Sequence, residues 1–267
     1  MIYHGDLSKM KVQHTTPVRY WLAMNEGKVD MNQLLGQRIR IRFTGIIHCV
    51  SCGKVTKKAF GQGFCYSCFI KSPMNSECII RPELCEGHLG KGRDPAWEEE
   101  NHNKPHTVYL AQTNGIKVGV TRDDQVPVRW IDQGAWKAIP IAHTPYRQIA
   151  GKIEVFLKND IPDKTPWQKM LKNEIDNTSI DLQAVKTNLA QTLPSELSPY
   201  MINEVQSIFE FTYPVLEYQK KINSLSPEKN PVIDGTLTGI RGQYLMLDYR
   251  EVINLRSQSG FEIELTV

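Results

Sequence analysis

The chain lacks any long apolar run. Across its 267 residues no stretch approaches the roughly 18 apolar residues that a membrane-spanning helix needs. Its first residues, MIYHGDLSKM, have no basic stretch followed by an apolar one, which is the layout of a secretory signal peptide. These absences favour a cytoplasmic protein with no membrane partner.

Cysteine is absent outside one short segment, and all six cysteines lie between positions 49 and 85. Disulfides are rare in a reducing cytoplasm, so this clustering favours a metal site. Cys49 and Cys52 form one Cys-x2-Cys pair, and Cys65 and Cys68 form a second one after 12 residues. A gap of two residues lets both thiolates of a pair reach one ion. The spacing predicts a structural zinc site with four thiolates and no open position for a substrate.

The other two cysteines are less regularly placed. Cys85 and His88 have ligand spacing, Cys78 precedes them, and His102 and His106 follow. One interpretation is a second zinc site formed by Cys78, Cys85, His88 and a later histidine, with His102 the first choice. The alternative is two buried thiols and surface histidines.

The chain has no strong excess of charge of either sign. Its 32 lysines and arginines against 29 aspartates and glutamates give a net charge of +3, which predicts no partner by itself. Residues 104–172, however, hold 11 lysines and arginines against 6 acidic residues, so the rest of the chain is slightly negative. A basic middle segment favours a polyanion such as nucleic acid. An ordinary solvated surface is the alternative.

Several common catalytic signatures are missing, namely a Walker phosphate loop, a dinucleotide-binding glycine fingerprint and a Gly-x-Ser-x-Gly elbow. The periodicity of apolar residues instead predicts an α+β protein in four parts. These are a β-rich zinc-binding region (1–105), an α/β core (106–172), a helical segment (173–230), and C-terminal strands that could pack on the N-terminal sheet (231–267).

Within the core, HTVYLAQ and IKVGVTR are predicted strands of a hairpin, because TNG supplies residues suited to a tight turn. A short helix is expected around VPVRWIDQG, then a strand in WKAIPIAHT and a helix in PYRQIAGKIEVFLKN. Further helices are predicted in PWQKMLKNEIDN, DLQAVKTNLAQTL and SPYMINEVQSIFEF.

Residues 106–172 resemble the GIY-YIG superfamily. In that superfamily a hairpin carries two short motifs, the next helix carries an arginine, and a later helix carries a glutamate. Here TVY (107–109) and KVG (117–119) stand at the two motifs, followed by Arg129 and Glu154. The whole chain is also similar to an uncharacterised bacterial family that joins a cysteine-rich N-terminal part to this core, and that family has no established activity.

The resemblance implies metal-assisted hydrolysis of phosphodiester bonds. Tyr109 would orient or deprotonate the attacking water, Arg129 would stabilise charge on the phosphate, and Glu154 would hold Mg²⁺. Thr107 replaces the glycine of the first motif and Lys117 replaces the tyrosine of the second. Lys117 can bind phosphate as a point charge, and it completes the predicted catalytic set. The predicted substrate-binding residues are Arg122, Trp130, Gln133, His143 and Arg147.

The sequence leaves three functions open. The first is a Mg²⁺-dependent endonuclease, and the second is a zinc-containing module that binds DNA or RNA without cleaving it. The third is a zinc-stabilised protein-interaction scaffold. Tyr109, Arg129, Glu154 and Trp130 each have a simpler alternative as packing or surface residues.

Overall fold

A computed structural model describes all residues from 1 to 267, and it confirms the α+β class. The strands are β1 (Ile2–Asp6), β2 (Lys11–Gln13), β3 (Arg19–Met24), β4 (Gly27–Asp30), β5 (Arg38–Ile47), β6 (His106–Gln112), β7 (Ile116–Arg122), β8 (Lys137–Thr144), β9 (Phe209–Glu210), β10 (Asn223–Leu225), β11 (Val232–Arg241), β12 (Tyr244–Leu247), β13 (Glu251–Asn254) and β14 (Phe261–Thr266). The α-helices are α1 (Tyr66–Lys71), α2 (Pro95–Asn101), α3 (Val128–Asp132), α4 (Arg147–Leu157), α5 (Trp167–Leu171) and α6 (Leu182–Thr192).

The chain divides by its contacts into two compact units. Unit 1 consists of Met1–Ile70, Ile131–Gly134 and Phe211–Val267, and unit 2 consists of Lys71–Trp130 and Ala135–Glu210. The cysteine-rich segment is therefore shared, because its first four cysteines belong to unit 1 and its last two to unit 2. The division into four sequence segments remains a prediction about domains.

Unit 1 is built on a seven-stranded sheet in the order β1-β14-β5-β11-β12-β13-β10. In β5 the buried Ile39 and Ile41 alternate with exposed arginines, which is the pattern of a strand with one face in the core. Strands β11 and β14 lie antiparallel on either side of β5, with Ile233 and Leu265 both in register with Ile41. The C-terminal strands and the N-terminal strands therefore form one sheet.

A smaller sheet of β2, β3 and β4 completes unit 1. The sequence KVQHTTPVRYWLAM lies in the region predicted to be β-rich, and it forms two strands with a break at Thr15–Pro17. Proline lacks the N–H that a central strand donates, so the segment turns there, and Thr15 Oγ1 donates to the Pro17 carbonyl at 2.7 Å.

Unit 2 is built on the sheet β7-β6-β8-β9 with β6 between β7 and β8. The predicted hairpin is present, with residues in register from His106↔Arg122 to Gln112↔Ile116. The predicted order of hairpin, short helix, strand and helix is also observed in β6, β7, α3, β8 and α4. Val108, Leu110 and Val118 point to one face and are packed in a core that includes Ile153 of α4.

The helix predicted over SPYMINEVQSIFEF is wrong. The segment forms one 3-10 turn at Ser198–Tyr200 and then runs extended to β9. The edge of β8 that does not face β6 explains the difference, because the segment pairs with it. The Ile202 N–H donates to the Ile141 carbonyl at 2.9 Å, and β9 pairs with Lys137 and Ala138. The segment 173–230, predicted to be helical, contains one α-helix, α6, and is otherwise loops, short strands and this 3-10 turn.

Candidate functional site

The first four cysteines converge at one point in unit 1. Cys49 follows β5, and Cys65 and Cys68 lie just before and within α1. The sulfur atoms of Cys49, Cys52, Cys65 and Cys68 all lie within 4.8 Å of one another, and those of Cys52 and Cys65 are 3.9 Å apart. A tetrahedral site with Zn–S bonds of about 2.3 Å has sulfur–sulfur edges of about 3.8 Å. The cluster could therefore hold a metal ion such as zinc.

The backbone around this cluster favours a thiolate. Gly53 has a φ of +70°, a conformation that suits glycine, and its N–H donates to the Cys49 carbonyl at 2.8 Å to close the first knuckle. Burial raises the pKa of Cys49, but hydrogen bonds from the amides of Cys65, Cys52 and Ser51 outweigh it and lower this pKa to about 6. Hydrogen bonds shared with the thiols of Cys52 and Cys65 raise the pKa of Cys68 to about 12.

A second group of ligand types lies in unit 2 and differs from the predicted set. It consists of Cys78, Cys85, Glu98 and His102, all buried, with their ligand atoms within 4.8 Å of one another. His88 lies outside the group, because its ring stacks on Tyr146 at 4.1 Å between centroids and an angle of 3°.

Glu98 replaces His88 in this group because of helix geometry. Asp94 caps the start of α2 by accepting from the Trp97 N–H at 3.1 Å, and Pro95 occupies the first turn. Residues four apart lie on the same face of a helix, so Glu98 and His102 point the same way and contact each other. The Asp-Pro start and the Glu-x3-His spacing are visible in the sequence, and sequence reasoning missed them.

Tyr109, the predicted catalytic tyrosine, is buried on the other face of the unit 2 sheet from the apolar core. It pairs with Gly119 across β6 and β7 and makes an edge contact with Trp130 at 5.7 Å. A Cβ atom at position 119 would lie 2.6 Å from the Tyr109 hydroxyl. The glycine of KVG is therefore required because the phenol passes directly over it.

Lys117 lies two residues before Gly119 and on the same face of β7. Burial, and to a lesser extent the positive charge of Arg129, lower the pKa of Lys117 to about 8, and the negative charge of Asp163 opposes this shift. Asp163 is placed near this strand because the Val118 N–H donates to the Pro162 carbonyl at 3.0 Å. Lys117, Arg129 and Asp163 thus form one group of interacting charges.

Glu154, the predicted Mg²⁺ ligand, is buried on α4. Burial raises its pKa, and the neighbouring Lys158 opposes that rise. Lys158 Nζ lies 3.5 Å from a Glu154 oxygen and 3.3 Å from an Asp163 oxygen, so one cation contacts both carboxylates. Lys158 thus balances the negative charge of Glu154. A metal ion bound to Glu154 would replace Lys158 in this role.

The predicted substrate-binding residues have different partners and lie in different local environments. Arg122 donates to Asn101 at 2.5 Å. His143 lies 3.5 Å from Asp123, and His143 and Asp123 both contact the Thr107 hydroxyl.

Arg147 and Trp130 make contacts within the fold of unit 2. Arg147 donates to the carbonyls of Cys78 and Ile79 at 3.0 Å each. Trp130 is fully buried, with its ring 5.0 Å from that of Phe209, which fits its alternative as a core residue. Gln133 falls in the short segment that belongs to unit 1.

Neither the curated proteins nor the solved structures compared with the chain gave a match. The longest α-helices, α4 and α6, have 11 residues each, and none of the helices qualifies as a membrane span. One family model does match, over residues 36–263, and it takes in both cysteine groups and the whole unit 2 sheet. The chain therefore belongs to the family described as protein of unknown function (DUF2797).

Proposed function

We propose that unit 2 binds the phosphate backbone of a nucleic acid and hydrolyses a phosphodiester bond with Mg²⁺ held by Glu154. The observation that supports this is one group of interacting charges around β7 and α4. Lys117, Arg129 and Arg147 supply positive charge, and Glu154 and Asp163 supply carboxylates. Metal-assisted phosphodiester hydrolysis needs positive side chains that bind the phosphate and a nearby carboxylate that binds a hard metal ion.

Each residue has a defined part in this proposal. Arg129 stabilises negative charge on the phosphate, and Tyr109 orients the attacking water. Lys117, with a pKa of about 8, is partly neutral at mildly alkaline pH and can accept a proton as well as contact phosphate. Glu154 would hold the Mg²⁺ ion, which would supply Lewis-acid polarisation of the phosphate, and Lys158 would stay paired with Asp163.

The two remaining parts of the proposal concern the metal and the compartment. The cluster of Cys49, Cys52, Cys65 and Cys68 holds a structural zinc ion, because four thiolates leave no coordination position for a substrate. The protein works in the cytoplasm, where reduced thiols are available to the metal.

Cleavage is tested with purified protein, Mg²⁺, and end-labelled single-stranded, duplex and branched DNA and RNA. Glu154→Gln removes the charge with little change in shape and should lower the cleavage rate by about 100-fold. Glu196→Gln is the matched control, because Glu196 is an exposed residue of the same unit. Equal cleavage by wild type and Glu154→Gln would reject the assignment.

A second candidate is binding without cleavage. It is favoured by the pairing of Glu154 with Lys158 and by the lysine at the second motif. Under this hypothesis no substrate is cut, but affinity falls steeply with salt concentration, and Lys117→Gln and Arg129→Gln each lower the slope of that dependence by about 1. If the protein contains zinc but neither cuts nor binds any of these nucleic acids, the remaining candidate function is the protein-interaction scaffold.

A further inference from the structure

Unit 2 contains four buried side chains of metal-ligand type, and none of them belongs to the four-cysteine cluster of unit 1. Cys78, Cys85, Glu98 and His102 are each less than 10% exposed. We propose that these residues bind a second zinc ion, with two sulfur ligands, one nitrogen and one carboxylate oxygen. This inference does not depend on whether the unit cleaves nucleic acid.

The distances fit a tetrahedral ion. His102 Nδ1 lies 3.7 Å from Cys78 Sγ and 3.5 Å from Cys85 Sγ. A Zn–S bond of about 2.3 Å and a Zn–N bond of about 2.0 Å give a ligand–ligand edge of roughly 3.5 Å. Glu98 Oε2 contacts the same Nδ1 atom directly and would move slightly away from it to admit the ion, and all four ligand atoms lie within 4.8 Å of one another.

The chemistry of the group also calls for a cation. Two cysteines and a carboxylate are enclosed together, and the Glu98 carboxylate contacts the equally buried imidazole of His102 instead of a lysine or arginine. A buried carboxylate is costly unless it is paired or coordinates a metal. A divalent ion would satisfy the carboxylate, both sulfurs and the imidazole nitrogen at once.

The surrounding backbone is fitted closely to this group. A Cβ atom at Gly92 would lie 2.5 Å from Glu98 Cγ, and the Ser76 hydroxyl lies 3.2 Å from Cys78 Sγ. The Trp97 ring stands edge-on to His102 at 4.8 Å. Cys78 and Glu98 also line a cavity of about 260 Å³.

The ion would fix the loop 78–85 against α4. Arg147, the first residue of α4, donates to the carbonyls of Cys78 and Ile79. One turn further along, Gly151 packs directly on the backbone of Pro82 and Glu83. The same helix carries Glu154, so the second zinc would order the loop that supports the proposed Mg²⁺ ligand.

The test is the zinc content of the purified chain, measured by mass spectrometry of the metal. Wild type should contain two ions per chain, and Cys85→Ser and Cys49→Ser should each contain one. The double variant should contain none. Controls are His88→Ala and His106→Gln, which should retain two ions, because His88 stacks on Tyr146 and His106 Nδ1 contacts the Lys104 carbonyl. One ion in wild type, with no further loss in Cys85→Ser, would overturn the proposal.

A second measurement avoids the risk that a variant fails to fold. Wild-type protein is treated with a thiol-alkylating reagent with and without a strong chelator, and each cysteine is followed by peptide mass spectrometry. Cys78 and Cys85 should be protected in the metal-loaded protein and become reactive together after chelation. Modification of both at the same rate in the two conditions would overturn the proposal.

Discussion

At the residue scale, Lys117 carries the clearest electrostatic consequence of the fold. The lysine is held on β7 among the buried groups near Tyr109, with the Arg129 charge close by. Burial is the larger of the two effects that lower its pKa, because a charged amine loses hydration when it leaves water. The folded chain therefore binds the Lys117 proton less tightly than the unfolded chain does.

This shift predicts a pH dependence of stability. Below pH 8 Lys117 is charged in both states, so the folded state bears the full cost of holding the charge. Between pH 8 and the ordinary value of 10.5 only the unfolded chain keeps the proton, so the free energy of unfolding rises with pH. Lys117→Met removes this dependence and should be more stable than wild type at pH 7 by about 1–3 kcal/mol.

Urea unfolding of both proteins at pH 7, 8.5 and 10 measures the effect. The difference between variant and wild type should shrink steadily with pH. The control is Lys152→Met, which replaces an exposed lysine on α4 and should show no such trend. A gap between Lys117→Met and wild type that stays constant over this range would contradict the expected shift.

The two candidate metal groups show what spacing alone can predict at this scale. Cys49, Cys52, Cys65 and Cys68 were identifiable because two residues between paired cysteines bring both sulfurs to one ion. The second group depends on where α2 begins, and a rule based on ligand spacing does not predict where a helix begins. Glu98 was therefore missed, and His88 was chosen on its distance from Cys85 in sequence.

At the element scale, α4 joins the two candidate sites of unit 2. Gly151 lies in the middle of this helix, where glycine ordinarily costs about 1 kcal/mol relative to alanine. Here a Cβ atom would lie 2.2 Å from the Glu83 backbone nitrogen and 2.4 Å from the Pro82 carbonyl carbon. Both contacts are with backbone, so the loop rather than a flexible side chain would have to move.

Gly151→Ala should therefore destabilise the protein although it improves helix propensity. We expect a loss of about 1–3 kcal/mol, as for other overpacked sites, measured by urea unfolding. Lys152→Ala is the control, because Lys152 is the exposed neighbour on the same helix, and it should change stability by less than about 0.5 kcal/mol. A gain in stability for Gly151→Ala would show that the loop does not pack on α4 as described.

The elements that were predicted correctly have strong local signals. The hairpin has a turn sequence between two alternating strands, and α4 has apolar residues at helical spacing from Ile149 to Leu157. The segment 198–211 also has apolar residues at helical intervals, but the free edge of β8 provides hydrogen-bond partners that this periodicity does not reveal. Tertiary pairing overrode the local pattern in that segment.

At the scale of the whole molecule, unit 1 is assembled from chain segments that are far apart in sequence. β5 lies between β11 and β14, and Arg42 on β5 pairs with Glu264 on β14 across 222 residues. Strands in the β-rich N-terminal region and in 231–267 were predictable, but their order and register are set by long-range packing. A single sequence holds little information about which strand pairs with which.

The same assembly predicts which part of unit 1 would depend on the proposed zinc ion. Between β5 and α1 the chain has few regular elements and few buried apolar side chains, among them Phe64. Zinc binding supplies on the order of 10 kcal/mol to the folding of such segments. The large sheet has its own core, with Leu237, Ile263 and Leu265 fully buried. Removal of zinc should therefore unfold the segment 49–68 and leave the sheet intact.

Hydrogen–deuterium exchange before and after treatment with a strong chelator measures this difference. Exchange should increase greatly in 49–68 and stay slow in β11 and β14, and added zinc should restore the original protection. Cys49→Ser should reproduce the loss in 49–68 without chelator and leave 76–102 protected, since those residues contain the second candidate metal group. If 49–68 kept its protection without metal, the four thiols would be packing residues and not the ligands that order this segment.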